Sequence, residues 1–87
     1  MKLNIKAMAI AFGIVWGGVI LIVGVANMIS PDYGVAFLEM AASIYPGYEV
    51  TGSLGQVIVA SLYGLVDGAI GGAVFAFLYN LFVPSNG

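Results

Sequence analysis

Two long apolar runs, separated by a mixed stretch, set the organisation of the chain. From Ala7 to Ile29 no charged side chain occurs. About 23 residues at 1.5 Å rise reach roughly 35 Å, enough for a hydrocarbon core of about 30 Å. This run predicts a first transmembrane helix over 7–29. The second run opens on Ser53-Leu54-Gly55-Gln56, a capping-box pattern in which Ser53 accepts from a first-turn N–H while the Gln56 side chain reaches back. It predicts a helix over 54–82, roughly 43 Å long. One charge, Asp67, interrupts it, and Pro84 with the Ser-Asn-Gly tail ends it. A helix of that length must tilt or protrude.

Between the runs, Ser30-Pro31-Asp32 reads as a helix start, with a side-chain oxygen at the N-cap, Pro at the first helical position and an acid favourable to the dipole. Pro46-Gly47 is the matching stop, so a short helix is expected over 31–45. On a helical wheel Asp32, Ala36, Glu39 and Ser43 share one strip, while Val35, Phe37, Leu38, Met40, Ala41, Ala42 and Ile44 cover most of the rest. Such a helix either lies in the membrane interface or folds back onto the two spans, because the same apolar face serves both. Tyr33, Tyr45 and Tyr48 are expected at headgroup depth, as an aromatic belt.

Composition narrows the chemistry. Of 87 residues, 62% are hydrophobic and 7% charged, with no Cys and no His, whereas an ordinary soluble domain carries roughly a quarter charged residues. Without thiolate or imidazole there is no zinc site, disulfide framework, His or Cys haem ligation or familiar catalytic triad. A lone mid-span carboxylate supplies no combination of acid, base and electrophile, so neither catalytic residues, metal ligands nor cofactors are expected. Two basic and four acidic side chains provide no face for nucleic acid. The Lys2 and Lys6 flank resembles a secretory signal with Gly24-Val25-Ala26 as a weak cleavage site, but the apolar run outlasts a normal signal core and is read as a retained span. Both lysines precede that span, and Asp32, Glu39 and Glu49 all fall in the connection. The positive-inside rule then puts both termini in the cytoplasm and the connection outside.

The second span carries the most specific pattern. Ala60, Gly64, Gly68, Gly72 and Ala76 recur every four residues, with Gly71 alongside; the first span adds Gly13 and Gly17 at the same spacing, and Gly18 and Gly24 nearby. Lipid tails are as apolar as leucine, so spans associate where small residues let backbones approach. The stripe is therefore expected to be a helix-packing face. It either closes the hairpin within one chain or joins copies, and the glycines spread around the first span leave a second close-packing surface for self-association or for a larger membrane complex. At 100° per residue Gln56, Tyr63 and Asp67 fall in a narrow arc beside the stripe, flanked by Ala60 and Gly71. An acid at mid-span costs about 2.5–3.5 kcal/mol on insertion scales, so this strip is expected to face protein or water. Asp67 then serves either an ion pathway in an assembled ring or a hydrogen bond to Tyr63, a backbone carbonyl or a neighbouring helix. Trp16, deep in the first span, is expected to fill space beside a glycine-rich neighbour, Tyr79 and Asn80 to mark the cytoplasmic edge, and Phe75, Phe77 and Phe82 to face lipid.

Ser43-Ile44-Tyr45-Pro46-Gly47-Tyr48, Thr51-Gly52-Ser53, Leu62-Tyr63-Gly64-Leu65-Val66-Asp67-Gly68-Ala69-Ile70-Gly71-Gly72 and Leu78-Tyr79-Asn80 together resemble a family of small bacterial two-span membrane proteins labelled phage-holin-like or of unknown function. The resemblance implies a protein of the bacterial inner membrane with two spans. Many holins carry a charged, often basic tail, and Val83-Pro84-Ser85-Asn86-Gly87 departs from that. The rotor-ring subunit of rotary ATPases is a poorer match, since there the glycine repeat and the carboxylate lie on different helices. The expectation is an all-α membrane hairpin with a short amphipathic interfacial helix in its connection, assembled as a homo-oligomer through the glycine stripe, holin-like or pore-forming. The alternative is an accessory subunit of a larger membrane complex, with no transport of its own.

Overall fold

The computed structural model describes residues 2–84; Met1 and the Ser-Asn-Gly tail expected after Pro84 lie outside the described residues. Those residues form three helices, α1 (Ile5–Ile29), α2 (Val35–Ile44) and α3 (Leu54–Phe82), two of them long and apolar enough to cross a membrane. The body is a rod of 52 × 21 × 19 Å. α1 and α3 run antiparallel along its whole length, pairing Gly72 with Met8, Gly68 with Phe12 and Gly13, Gly64 with Gly17, and Gly24 with Val57.

Close approach is why this pair needs glycine. A Cβ on Gly68 would stand 2.5 Å from the Phe12 carbonyl oxygen, and one on Gly13 would stand 2.7 Å from that of Leu65. Both obstacles are backbone, so neither can swing aside. Ala60 and Ala76 are fully buried in the same seam.

Each helix end is tied by a particular side chain. α1 starts at Ile5, two residues before the expected Ala7, because Asn4 caps it by accepting from the Ala7 N–H at 2.9 Å. At the same end Asn80 accepts from the Leu3 N–H at 2.7 Å and donates to the Leu3 carbonyl at 2.8 Å, while Lys2 Nζ reaches the Asn80 carbonyl at 3.3 Å. The start of α1 and the last turn of α3 are thus clamped together.

The expected helix over 31–45 begins late, and Ser30 is not its N-cap. Buried Asn27 donates to the carbonyls of Pro31 (3.0 Å) and Tyr33 (2.9 Å), and the Tyr33 N–H bonds the Ser30 carbonyl at 2.8 Å. These bonds hold a tight turn where Pro31 and Asp32 would have propagated a helix. Gly34, in the left-handed region at φ +67°, then redirects the backbone and stands as the N-cap of α2.

α2 folds back along the hairpin, burying Leu38 and Ala41, while Ala36, Glu39 and Ser43 stay exposed. Ten residues of helix descend about 15 Å, which delivers Tyr45 to the middle of the rod. Residues 45–53 return to the start of α3. The core cluster is Ile20, Ala41, Tyr45, Tyr48 and Ala60. Tyr45 and Tyr48 are therefore interior residues, contrary to the expected belt, and of the three connection tyrosines Tyr33 alone is exposed. Burial also holds the Tyr48 phenol above its ordinary range.

Candidate functional site

The polar centre lies at mid-length, where three elements meet. Asp67 falls one residue before the midpoint of α3, and Trp16 one residue before the midpoint of α1. Trp16 Nε1 donates to the Tyr45 hydroxyl at 2.9 Å, and that hydroxyl donates to Asp67 Oδ2 at 2.8 Å. An indole, a phenol and a carboxylate thus form one directed chain through the rod. Trp16 also meets Phe37 of α2 edge-on, with centroids 5.8 Å apart.

Tyr63 is not the partner of Asp67. Its ring stacks on Tyr45, with centroids 5.1 Å apart and planes inclined by 5°, and its hydroxyl donates to the Pro46 carbonyl. Two turns toward the start of α3, Gln56 Oε1 accepts from the Glu49 N–H at 2.9 Å. The capping box is accordingly half made: Ser53 Oγ accepts from the Gln56 N–H at 3.3 Å, while the Gln56 side chain holds Glu49 and does not return to Ser53.

Gln56, Tyr63 and Asp67 therefore share one task. Spaced along one arc of α3, they grip Glu49, Pro46 and Tyr45 in turn and fasten the returning connection against the hairpin. Helical spacing places the three on one face. The sequence pattern does not show their partners: it puts Tyr45 at headgroup depth and gives Trp16 a packing role without a use for its N–H. One signal was available, since an indole N–H and a phenol in an apolar chain both need partners.

Of the small residues expected to pack, Gly13, Gly17, Ala60, Gly64, Gly72 and Ala76 are buried, and Gly68 is half-buried against Phe12, Gly13 and Trp16. Gly71 departs from this group. It is exposed, and nothing lies within 4 Å of where its Cβ would be. Gly18 on α1 is open in the same sense. The seam thus consumes the stripe inside one chain and leaves these two glycines outside it.

Below the docked connection the hairpin face is uncovered. Ala11, Phe12, Val15, Trp16, Asp67, Gly68 and Gly71 line an open groove of about 490 Å³, and exposed Asp67 is its one charged group. Among the described residues no cluster of three metal-ligating side chains occurs, and no buried side-chain nitrogen or oxygen lacks a partner. Compared with family models, curated proteins and solved structures, the chain matches none.

Proposed function

We propose that this chain is a small integral membrane protein that crosses the bacterial inner membrane twice and assembles with its own copies into a holin-like, pore-forming oligomer. The surface of the rod supports the membrane part. Each long helix has only 22% of its most apolar 18-residue stretch buried inside the chain, whereas a core helix of a soluble protein hides most of its apolar face. Exposed apolar surface of this extent calls for lipid or protein against it. α2 then enters the membrane from the connection side and stops at mid-depth, with its backbone satisfied by its own helix and with the Pro46 carbonyl and Glu49 N–H beyond it held by Tyr63 and Gln56 of α3.

The observation that carries assembly is the open face around Gly18. Ile14, Gly18, Leu21 and Val25 lie on one side of α1; the three large residues are exposed by 61%, 42% and 38% respectively, and an added Cβ at Gly18 meets nothing. A close-packing surface of this kind, outside the hairpin seam, suits a second copy.

Two measurements on purified protein test the reading. Native mass spectrometry from mild detergent is expected to give one closed oligomer, and liposomes holding the protein alone are expected to release a trapped dye. Gly18→Leu should abolish both while leaving the helical signal intact. A monomer with tight liposomes would instead make the chain an accessory subunit offering this face to a larger membrane complex.

A further inference from the structure

The groove beneath the docked connection has the chemistry of a small-molecule site. Its volume of about 490 Å³ falls within the roughly 300–1,000 Å³ typical of such sites, which are mostly apolar with a few placed polar groups. Ala11, Gly68 and Gly71 keep it roomy, and Phe12, Val15 and Trp16 supply apolar and aromatic surface. Asp67 lies at its upper end with Oδ2 engaged by Tyr45. Lys2 is held at the far end of the rod on the Asn80 carbonyl, and Lys6 lies exposed on the first turn of α1. A carboxylate at the end of an aromatic, apolar trough, with the chain's lysines elsewhere, is complementary to one positive charge on a hydrophobic body.

We propose that this groove binds a hydrophobic organic cation, its charged centre against Asp67 and its apolar body along Phe12, Val15 and Trp16. The ligand is a free lipophilic cation and not a lipid headgroup, because the groove sits at mid-length of α1 and α3 and headgroup amines lie near the helix ends. None of Ile14, Gly18, Leu21 and Val25 lines it, but Ala11, two turns before Gly18 on the same side of α1, does, so assembly is read alongside binding.

Tetraphenylphosphonium is a suitable probe, and Trp16, the only tryptophan in the chain, reports from the groove. In nonionic detergent the wild type is expected to show saturable quenching of Trp16 emission by tetraphenylphosphonium and none by tetraphenylborate, an anion of the same shape. Asp67→Asn retains an acceptor for Tyr45 and should weaken the cation at least tenfold. Gly71→Leu, whose side chain enters open space, should weaken it similarly with Asp67 untouched. Assembly state is measured on the same samples, so a failed oligomer and a failed ligand site are told apart. Equal quenching by the two ions, unchanged affinity in either variant, or competition by phosphatidylethanolamine added to the micelles would overturn the assignment.

Discussion

Gly68 and Gly71 sit three residues apart on α3, yet a methyl group added to each meets opposite surroundings. At Gly68 it would press on the Phe12 carbonyl oxygen at 2.5 Å and the Trp16 Cβ at 2.8 Å; at Gly71 it would meet nothing within 4 Å. Overpacking against atoms that cannot move costs about 1–3 kcal/mol, while an unobstructed Gly→Ala change in a helix is neutral or gains up to about 1 kcal/mol. Gly68→Ala is therefore expected to destabilise the hairpin and Gly71→Ala to leave it unchanged or firmer. Denaturant titration in micelles, followed through Trp16 emission, measures both, and equal effects would contradict the assigned seam. The four-residue repeat marked where backbones come close, because small residues at that spacing share a helix face. It did not reveal that the facing backbone belongs to α1 of the same chain, since antiparallel pairing depends on how the connection turns.

At the scale of the element, the connection is held by side chains more than by its own helix. Ten residues of α2 make less than three full turns, too short to persist alone in water. Its position depends on Leu38 and Ala41 packed inward and on the three grips from α3. Tyr45→Phe removes the group that both accepts from Trp16 and donates to Asp67, leaving the indole N–H without its partner at a cost of about 1–3 kcal/mol. Faster amide exchange is expected across 41–50, with 9–24 of α1 unaffected because the glycine seam does not involve that hydroxyl. Uniform acceleration over both regions would mean that the connection and the hairpin form one cooperative unit. The extents of the long helices were readable to within two residues from the apolar runs, the second broken only by Asp67, and from the Ser53 cap. The start of α2 was not readable, because the competing bonds come from Asn27, on the preceding helix, and outweigh a local Ser-Pro-Asp signal. The partner of Asp67 was hidden for a related reason: Tyr45 reaches it only because α2 folds back and is about 15 Å long.

For the whole molecule, the two cations lie at one end of the rod, away from the acids of the connection and from Asp67 at mid-length. Lys2 and Lys6 lie at the end where Leu3 and Asn80 meet, while Asp32 and Glu49 belong to the connection that joins the helices at the other end. In a bilayer, cations near span ends are retained on the cytoplasmic side, and acids contribute little to that choice. With two lysines on one side and none on the other, the proposed reading puts the connection outside. The absence of native cysteine makes single-cysteine variants clean reporters of this arrangement. Asp32→Cys and Thr51→Cys, at exposed positions of the connection, are expected to react with a membrane-impermeant maleimide in intact spheroplasts. Lys6→Gln with Asn4→Cys would weaken the charge bias, so the better probe of the opposite end is Leu3→Cys with both lysines kept; it should label only after permeabilisation. Pro46→Cys provides the depth marker, because the fold-back carries position 46 to the level of Tyr63 and away from the outer surface. It is expected to react at least tenfold more slowly than Thr51→Cys despite being exposed on the isolated chain. Equal rates at 46 and 51 would place the whole connection in water and remove the membrane-inserted α2, whereas labelling of Leu3→Cys in intact spheroplasts would invert the molecule and leave the fold-back standing.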